Sequence, residues 1–86
     1  MHYQYRTQGV CSRAVDFDLE NGVVNNVKFT GGCPGNTLGV AALANGRSAQ
    51  ELIGIIKGIR CGYKPTSCPD QLALAIEAAM AREANQ

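Results

Sequence analysis

Polar and apolar residues alternate through the first third of the chain, which is the period-two signature of half-buried strands. In His2 to Thr7, Tyr3 and Tyr5 fall on one face and Gln4 and Arg6 on the other. From Ala14 to Glu20 the split is complete, with Val15, Phe17 and Leu19 opposed to Asp16, Asp18 and Glu20. Asn21-Gly22 supplies two residues that tolerate positive φ, as a tight hairpin turn requires. The returning strand, Val23 to Thr30, places Val23, Val27 and Phe29 on its inner face.

"TGGCPGN", Thr30 to Asn36, ends the alternation, and helical spacing follows. Leu38, Ala41 and Ala42 make an apolar stripe that stops at Asn45-Gly46. A second helix opens at Ser48, with Glu51 completing a capping-box pattern. Its predicted buried face is Leu52, Ile55, Ile56 and Ile59, spaced i, i+3, i+4, i+7. Gly54 and Gly58 lie within it, and either admit a neighbouring backbone or simply weaken the helix by about 1 kcal/mol each. After a loop from Arg60 to Thr66, a third helix starts near Pro69, a residue suited to a first turn, with Asp70 favourable to the helix dipole. Leu72, Ile76, Ala79 and Met80 face its core, and Arg82 to Gln86 is expected to fray. Strands followed by helices define an α+β class: a small antiparallel sheet of about three N-terminal strands with three helices on one face. Its edge strands and alanine-rich last helix offer a second copy a surface, so a homodimer is expected.

Composition narrows the function. The 86 residues suit one domain, 1–86, with a single core. A net charge of +1 argues against a nucleic-acid partner. No stretch approaches the ~20 apolar residues of a membrane span, and the polar start lacks a signal core, so a cytoplasmic location is expected. In a reducing compartment the four cysteines are more consistent with metal or redox chemistry than with structural disulfides.

Those cysteines, C-x21-C-x27-C-x6-C, contain no C-x-x-C pair, so any shared site is assembled by the fold. Cys33 and Cys68 stand at helix entrances, where the positive end of the dipole favours a thiolate. Arg60 and Lys64 flank Cys61, and Cys11 precedes the second strand. None lies in an apolar stripe. The glycine-rich turn, with Gly32, Gly35 and Asn36, is a candidate cradle for a phosphate group, nucleotide or flavin, although it lacks the lysine and spacing of a P-loop. His2 reads as a surface residue, and Asp16, Asp18 and Glu20 as a solvated strand face.

"GGCPGN", "GIRCG" and "TSCPDQLA" resemble the TSCPD domain family over nearly the whole chain. Such domains occur alone in bacteria and at the C-terminus of some ribonucleotide reductases. The resemblance implies a link to ribonucleotide reduction and DNA precursor synthesis, with a reductase or redox protein as partner. The reductase active site lies in a barrel that this chain is too short to contain, so the resemblance supplies no reaction.

A more distant similarity is to IscU/NifU-like iron–sulfur scaffolds, which also have a strand hairpin, a Gly-Cys turn and a late cysteine opening the last helix. In that comparison Cys11, Cys33 and Cys68 match the scaffold cysteines. The scaffold's aspartate and histidine are missing, since Ser12 and Arg13 follow Cys11 and Ser67 precedes Cys68. Three functions follow as expectations. Cys11, Cys33, Cys61 and Cys68 converge on zinc, or on an iron–sulfur cluster; Cys61 and Cys68 form a reversible disulfide; or the glycine turn binds a nucleotide cofactor.

Overall fold

The computed structural model describes residues 1–84. Strands β1 (His2–Arg6), β2 (Ser12–Glu20) and β3 (Val23–Gly31) lead into α1 (Pro34–Ala44). Then come a two-residue β4 (Arg47–Ser48), α2 (Ala49–Ile56) and α3 (Cys68–Ala84). The sheet is antiparallel in the order β1-β2-β3-β4. The α+β class holds, with four strands of which three are long. The fourth, β4, is too short to leave a periodic signal.

The hairpin forms at Asn21-Gly22, with φ of 51° and 77°. Val15, Phe17 and Leu19 are buried as their alternation requires, and Phe17 stacks on Tyr3 at 5.7 Å between ring centroids. The inner face of β3 differs from strict alternation: Val24 is fully buried, whereas Val23 is only half-buried. Asp16 pairs with Lys28 but Asp18 with Asn25, so β3 carries one extra residue opposite Phe17. Asn26 takes up this bulge at φ 54° and donates from Nδ2 to Asp18 Oδ2 at 2.7 Å. An extra residue inverts the parity of everything before it, so Val24, Val27 and Phe29 form the inner row.

The core collects this face with Ala41, Ala44, Ala49, Leu52, Leu72, Ala75, Ile76 and Ala79, so the helices cover one side of the sheet. The stripe of α1 also differs from its expected position. Thr37, Ala41 and Ala44 are buried, while Leu38 and Ala42 are exposed. A helix apolar on every side has no unique face by periodicity, and the small side chains are those that let it sit close to β3. In α2, Ser48 Oγ accepts from Glu51 N at 3.0 Å, the capping expected, while the Glu51 carboxylate pairs with Arg47. Ala49, Leu52 and half-buried Ile56 turn inward, but Ile55 and Ile59 are exposed. The helix stops at Ile56, and Gly58 leaves helical geometry at φ 90°. A Cβ at Gly54 would meet nothing within 4 Å, so that glycine serves no close approach.

Helix α3 opens at Cys68 and has the expected inner face, with Leu72, Ile76 and Ala79 buried. It continues to Ala84, into the segment expected to fray, where Tyr3 Oη donates to Glu83 Oε2 at 2.7 Å. Residues 85 and 86 of that segment lie outside the described residues. Among those described, no helix is long and apolar enough to cross a membrane.

A thiol-lined cavity at the helix entrances

Four separated segments bring one cysteine each to the same end of the molecule. Cys11 lies in the β1–β2 connection, directly before β2. Cys33 is the residue preceding α1, and its carbonyl accepts both the Thr37 amide and the Thr37 hydroxyl at 2.9 Å. Cys61 lies in the α2–α3 loop, and Cys68 begins α3. All four are free thiols, Cys68 buried and the other three exposed. They line a single cavity of about 370 Å³, together with Asn36, Arg60 and Lys64. Among the described residues, no carboxylate lines it.

The turn of chain entering α3 fixes this convergence. Ser67 Oγ accepts from Asp70 N and donates to the Ile59 carbonyl, at 3.2 and 2.6 Å. It therefore caps α3 and ties down the preceding loop with one hydroxyl. Asp70 is buried, and its two oxygens accept from Gly58 N at 2.6 Å and from Thr66 Oγ1 at 2.5 Å. The carboxylate thus bridges both ends of the loop that carries Cys61. Within the loop, Cys61 N donates to the Thr66 carbonyl and Lys64 N to the Cys61 carbonyl, closing it on itself. Gln71 works on the other side: Nε2 donates to Thr66 Oγ1, and Oε1 accepts from Gln8 N at 3.0 Å. The β1–β2 connection that carries Cys11 is thereby pinned to the same helix entrance.

Ser12 links the sheet to the buried thiol. A second bulge, between Ser12 and Ala14, turns Ser12 inward and Arg13 outward. Ser12 Oγ lies 3.3 Å from Cys68 Sγ and 3.3 Å from Thr7 Oγ1, while the Thr7 hydroxyl donates to the Ser12 carbonyl at 2.6 Å. With the thiol protonated, Cys68 donates to Ser12 and Ser12 to Thr7. With a thiolate, the Ser12 hydroxyl is positioned to donate to sulfur instead.

Of the glycine-turn candidates, Asn36 lines the cavity. Gly32 has φ 87°, and a Cβ there would stand 3.2 Å from Thr37 Cγ2 and 3.3 Å from Ser12, so it is required by the turn itself. Gly35 faces open space. His2 lies on the outer sheet face, its Nδ1 2.7 Å from Asp18 Oδ1. The Asp18 hydrogen bond holds the imidazole pKa above its ordinary value. Asn26 and then His2 hold the Asp18 carboxyl below the usual value. Burial, and then the hydrogen bond to Glu83, raise the Tyr3 phenol.

Sequence reasoning assigned Asp70 to the helix dipole and gave Ser12, Ser67, Thr66 and Gln71 no task at the site. Thr66 and Asp70, four apart across a helix start, were the available signal for the clamp. Nothing local could have shown that its other partner is Gly58.

The donor set fits a thiophilic cation chemically: four sulfurs, two cationic side chains and no competing carboxylate. Among the described residues, no three His, Cys, Asp or Glu side chains form a group close enough to hold a metal ion. Coordination would therefore require the exposed thiols to draw in toward Cys68.

A one-sided α+β domain with a thiol-lined cavity at its helix entrances is the class that fold and site define. The chain belongs to the TSCPD domain family, whose model matches residues 1–80 of the 86. That span includes every cysteine and the whole Thr66–Gln71 clamp. Comparison with curated proteins and with solved structures finds no match.

Proposed function

We propose that the chain is a metal-binding accessory domain in which Cys11, Cys33, Cys61 and Cys68 together hold one zinc ion. The observation that supports this is the arrival of four thiols, from four separate segments, at one cavity free of carboxylates. Four thiolates on a divalent cation leave a net charge of two minus, and Arg60 and Lys64 at the cavity would offset it. A tetrahedral four-sulfur set has no open position, so the metal's contribution would be to cross-link the segments rather than to activate water. The family resemblance makes a ribonucleotide reductase the proposed partner. An iron–sulfur cluster is the alternative occupant of the same thiols.

Elemental analysis of anaerobically purified protein tests this directly. About one equivalent of zinc or iron per chain is expected, and Cys68→Ser and Cys33→Ser should each lose most of it. Absence of both metals, with all four thiols titrating freely without denaturant, would overturn the proposal. A second reading is favoured by the closed Cys61–Thr66 turn, which holds Cys61 on the cavity that Cys68 also lines. These two thiols would reduce a partner disulfide by exchange, giving up two protons and two electrons and ending as a Cys61–Cys68 disulfide. Metal-free protein that reduces a model disulfide, and a Cys61→Ser variant that does not, would select this reading over the first.

A further inference from the structure

The helices leave the opposite face of the sheet open, and its charges are sorted. Strand pairing sets out three rows on that face: Arg6–Ala14–Thr30, Gln4–Asp16–Lys28 and His2–Asp18–Asn25. At the acidic end His2 stands against Asp18 and Asp16 and Asn26 donates to Asp18, while Asp16 Oδ1 is buried without a hydrogen-bond partner among the described residues. At the other end, Arg6 and Arg13 line a concave cavity of about 660 Å³ with Gln4, Thr7, Ser12 and Ala14. Neither arginine takes part in an ion pair or a side-chain hydrogen bond among the described residues.

The bulge that turns Ser12 toward Cys68 also builds this cavity. Counting back from buried Val15, strict alternation would send Arg13 into the core. The extra residue returns it to the open face beside Arg6. Ala14, the smallest side chain in its row, lies between the two arginines and Thr30 and forms the floor. Two guanidinium groups lining one cavity can present paired N–H donors to the oxygens of one dianion. The cavity is within the size of small-molecule sites, roughly 300–1,000 Å³, and has room for more than a bare inorganic anion. A polyanion is disfavoured by Asp16 and Asp18 farther along the same face.

We infer that Arg6 and Arg13 form a binding site for a phosphorylated small molecule of nucleotide size. The phosphate oxygens lie on the two guanidinium groups, and the uncharged part rests over Ala14 and Gln4. This site is separate from the thiol cavity, and its test does not depend on metal. Calorimetric titration of the full chain with ADP, pyrophosphate and citrate at low ionic strength distinguishes the ligand classes. One saturable ADP site per chain is expected, with pyrophosphate and citrate weaker.

Arg6→Gln and Arg13→Gln should each weaken ADP binding at least about tenfold, and Ala14→Leu should abolish it by filling the floor. Lys28→Gln, which removes a charge from the same face outside the cavity, should leave binding unchanged. Arg6, Arg13 and Lys28 are exposed and Ala14 is half-buried on the open face, and circular dichroism checks that each variant is folded. Failure of ADP to bind at millimolar concentration, or equal binding by Arg6→Gln, would overturn the inference. Pyrophosphate binding as tightly as ADP would overturn the nucleotide size, and tighter citrate binding would overturn the preference for phosphate.

Discussion

Replacing Asp70 by alanine tests whether one buried carboxylate holds the Cys61 loop to the helix entrance. The substitution removes the acceptors for Gly58 N and Thr66 Oγ1 and leaves both donors facing a void. A hydrogen bond to a charged group contributes ~1.5–3 kcal/mol net, and both donors are only part-buried, so the lower end applies. Two such bonds give a loss of about 3 kcal/mol. A domain of this length has ~4–13 kcal/mol in total at the usual stability per residue, so the variant should still fold. Its Tm should fall by ~12–24 °C at the sensitivity typical of domains this small.

Urea denaturation followed by circular dichroism measures the global term. Amide hydrogen exchange at Gly58 and Cys61 measures the local one, and both amides should lose protection well beyond the global loss. Asp70→Asn should cost less, because it keeps an acceptor for Gly58 but turns a donor toward Thr66. Combined with Thr66→Ala, the Asp70→Ala loss should be less than additive by ~1 kcal/mol, since the two residues share a bond. A loss below ~1 kcal/mol, with Gly58 exchange unchanged, would refute the clamp.

Other perturbations probe the same architecture. His2 has a folded pKa raised above its ordinary 6.5, so its pairing with Asp18 stabilises fully below that value and is lost as pH rises through the folded one. Wild-type Tm should therefore fall slightly between about pH 6 and pH 8, and His2→Gln should remove that slope. If the slope persists in His2→Gln, the imidazole is not its source. Asn26→Val should cost ~1–2 kcal/mol in urea melts, because a β-branched residue resists the positive φ of the bulge, whereas Asn26→Gly should cost far less. Gly32→Ala should destabilise by ~1–3 kcal/mol through strained φ and contact with Ser12 and Thr37. In contrast, Gly39→Ala, mid-helix and facing open space, should stabilise by ~0.5–1 kcal/mol in the same assay.

The parts of the fold that were legible are those where one local rule acts alone. Ala14 to Glu20 alternates without interruption, Asn21-Gly22 has one plausible geometry, and Ser48 caps α2 as its spacing predicted. The errors arise where a long-range contact overrides the local pattern. Alternation puts Val23 inward, since nothing in "VVNNV" announces that Asn26 will absorb a residue at positive φ. Hydrophobicity alone selects Leu38 for the inner face of α1, whereas close packing on β3 favours Ala41 and Ala44. Ile59 continued an apolar spacing that Gly58 ends.

At the site, the individual thiols were legible and the device that collects them was not. Cys33 and Cys68 could be placed at helix entrances from "GGCPGN" and "TSCPDQLA" alone. The "TSCPDQ" peptide, however, is more than a helix start with a thiol in it. Thr66, Ser67, Asp70 and Gln71 bond to one another and to Gly58, Ile59 and Gln8, so these few residues position two distant loops around Cys68. Ser12 reaches Cys68 from the sheet only because a bulge reverses its direction. That same bulge delivers Cys11 to the thiol cavity and Arg13 to the arginine cavity, on opposite sides of one buried serine.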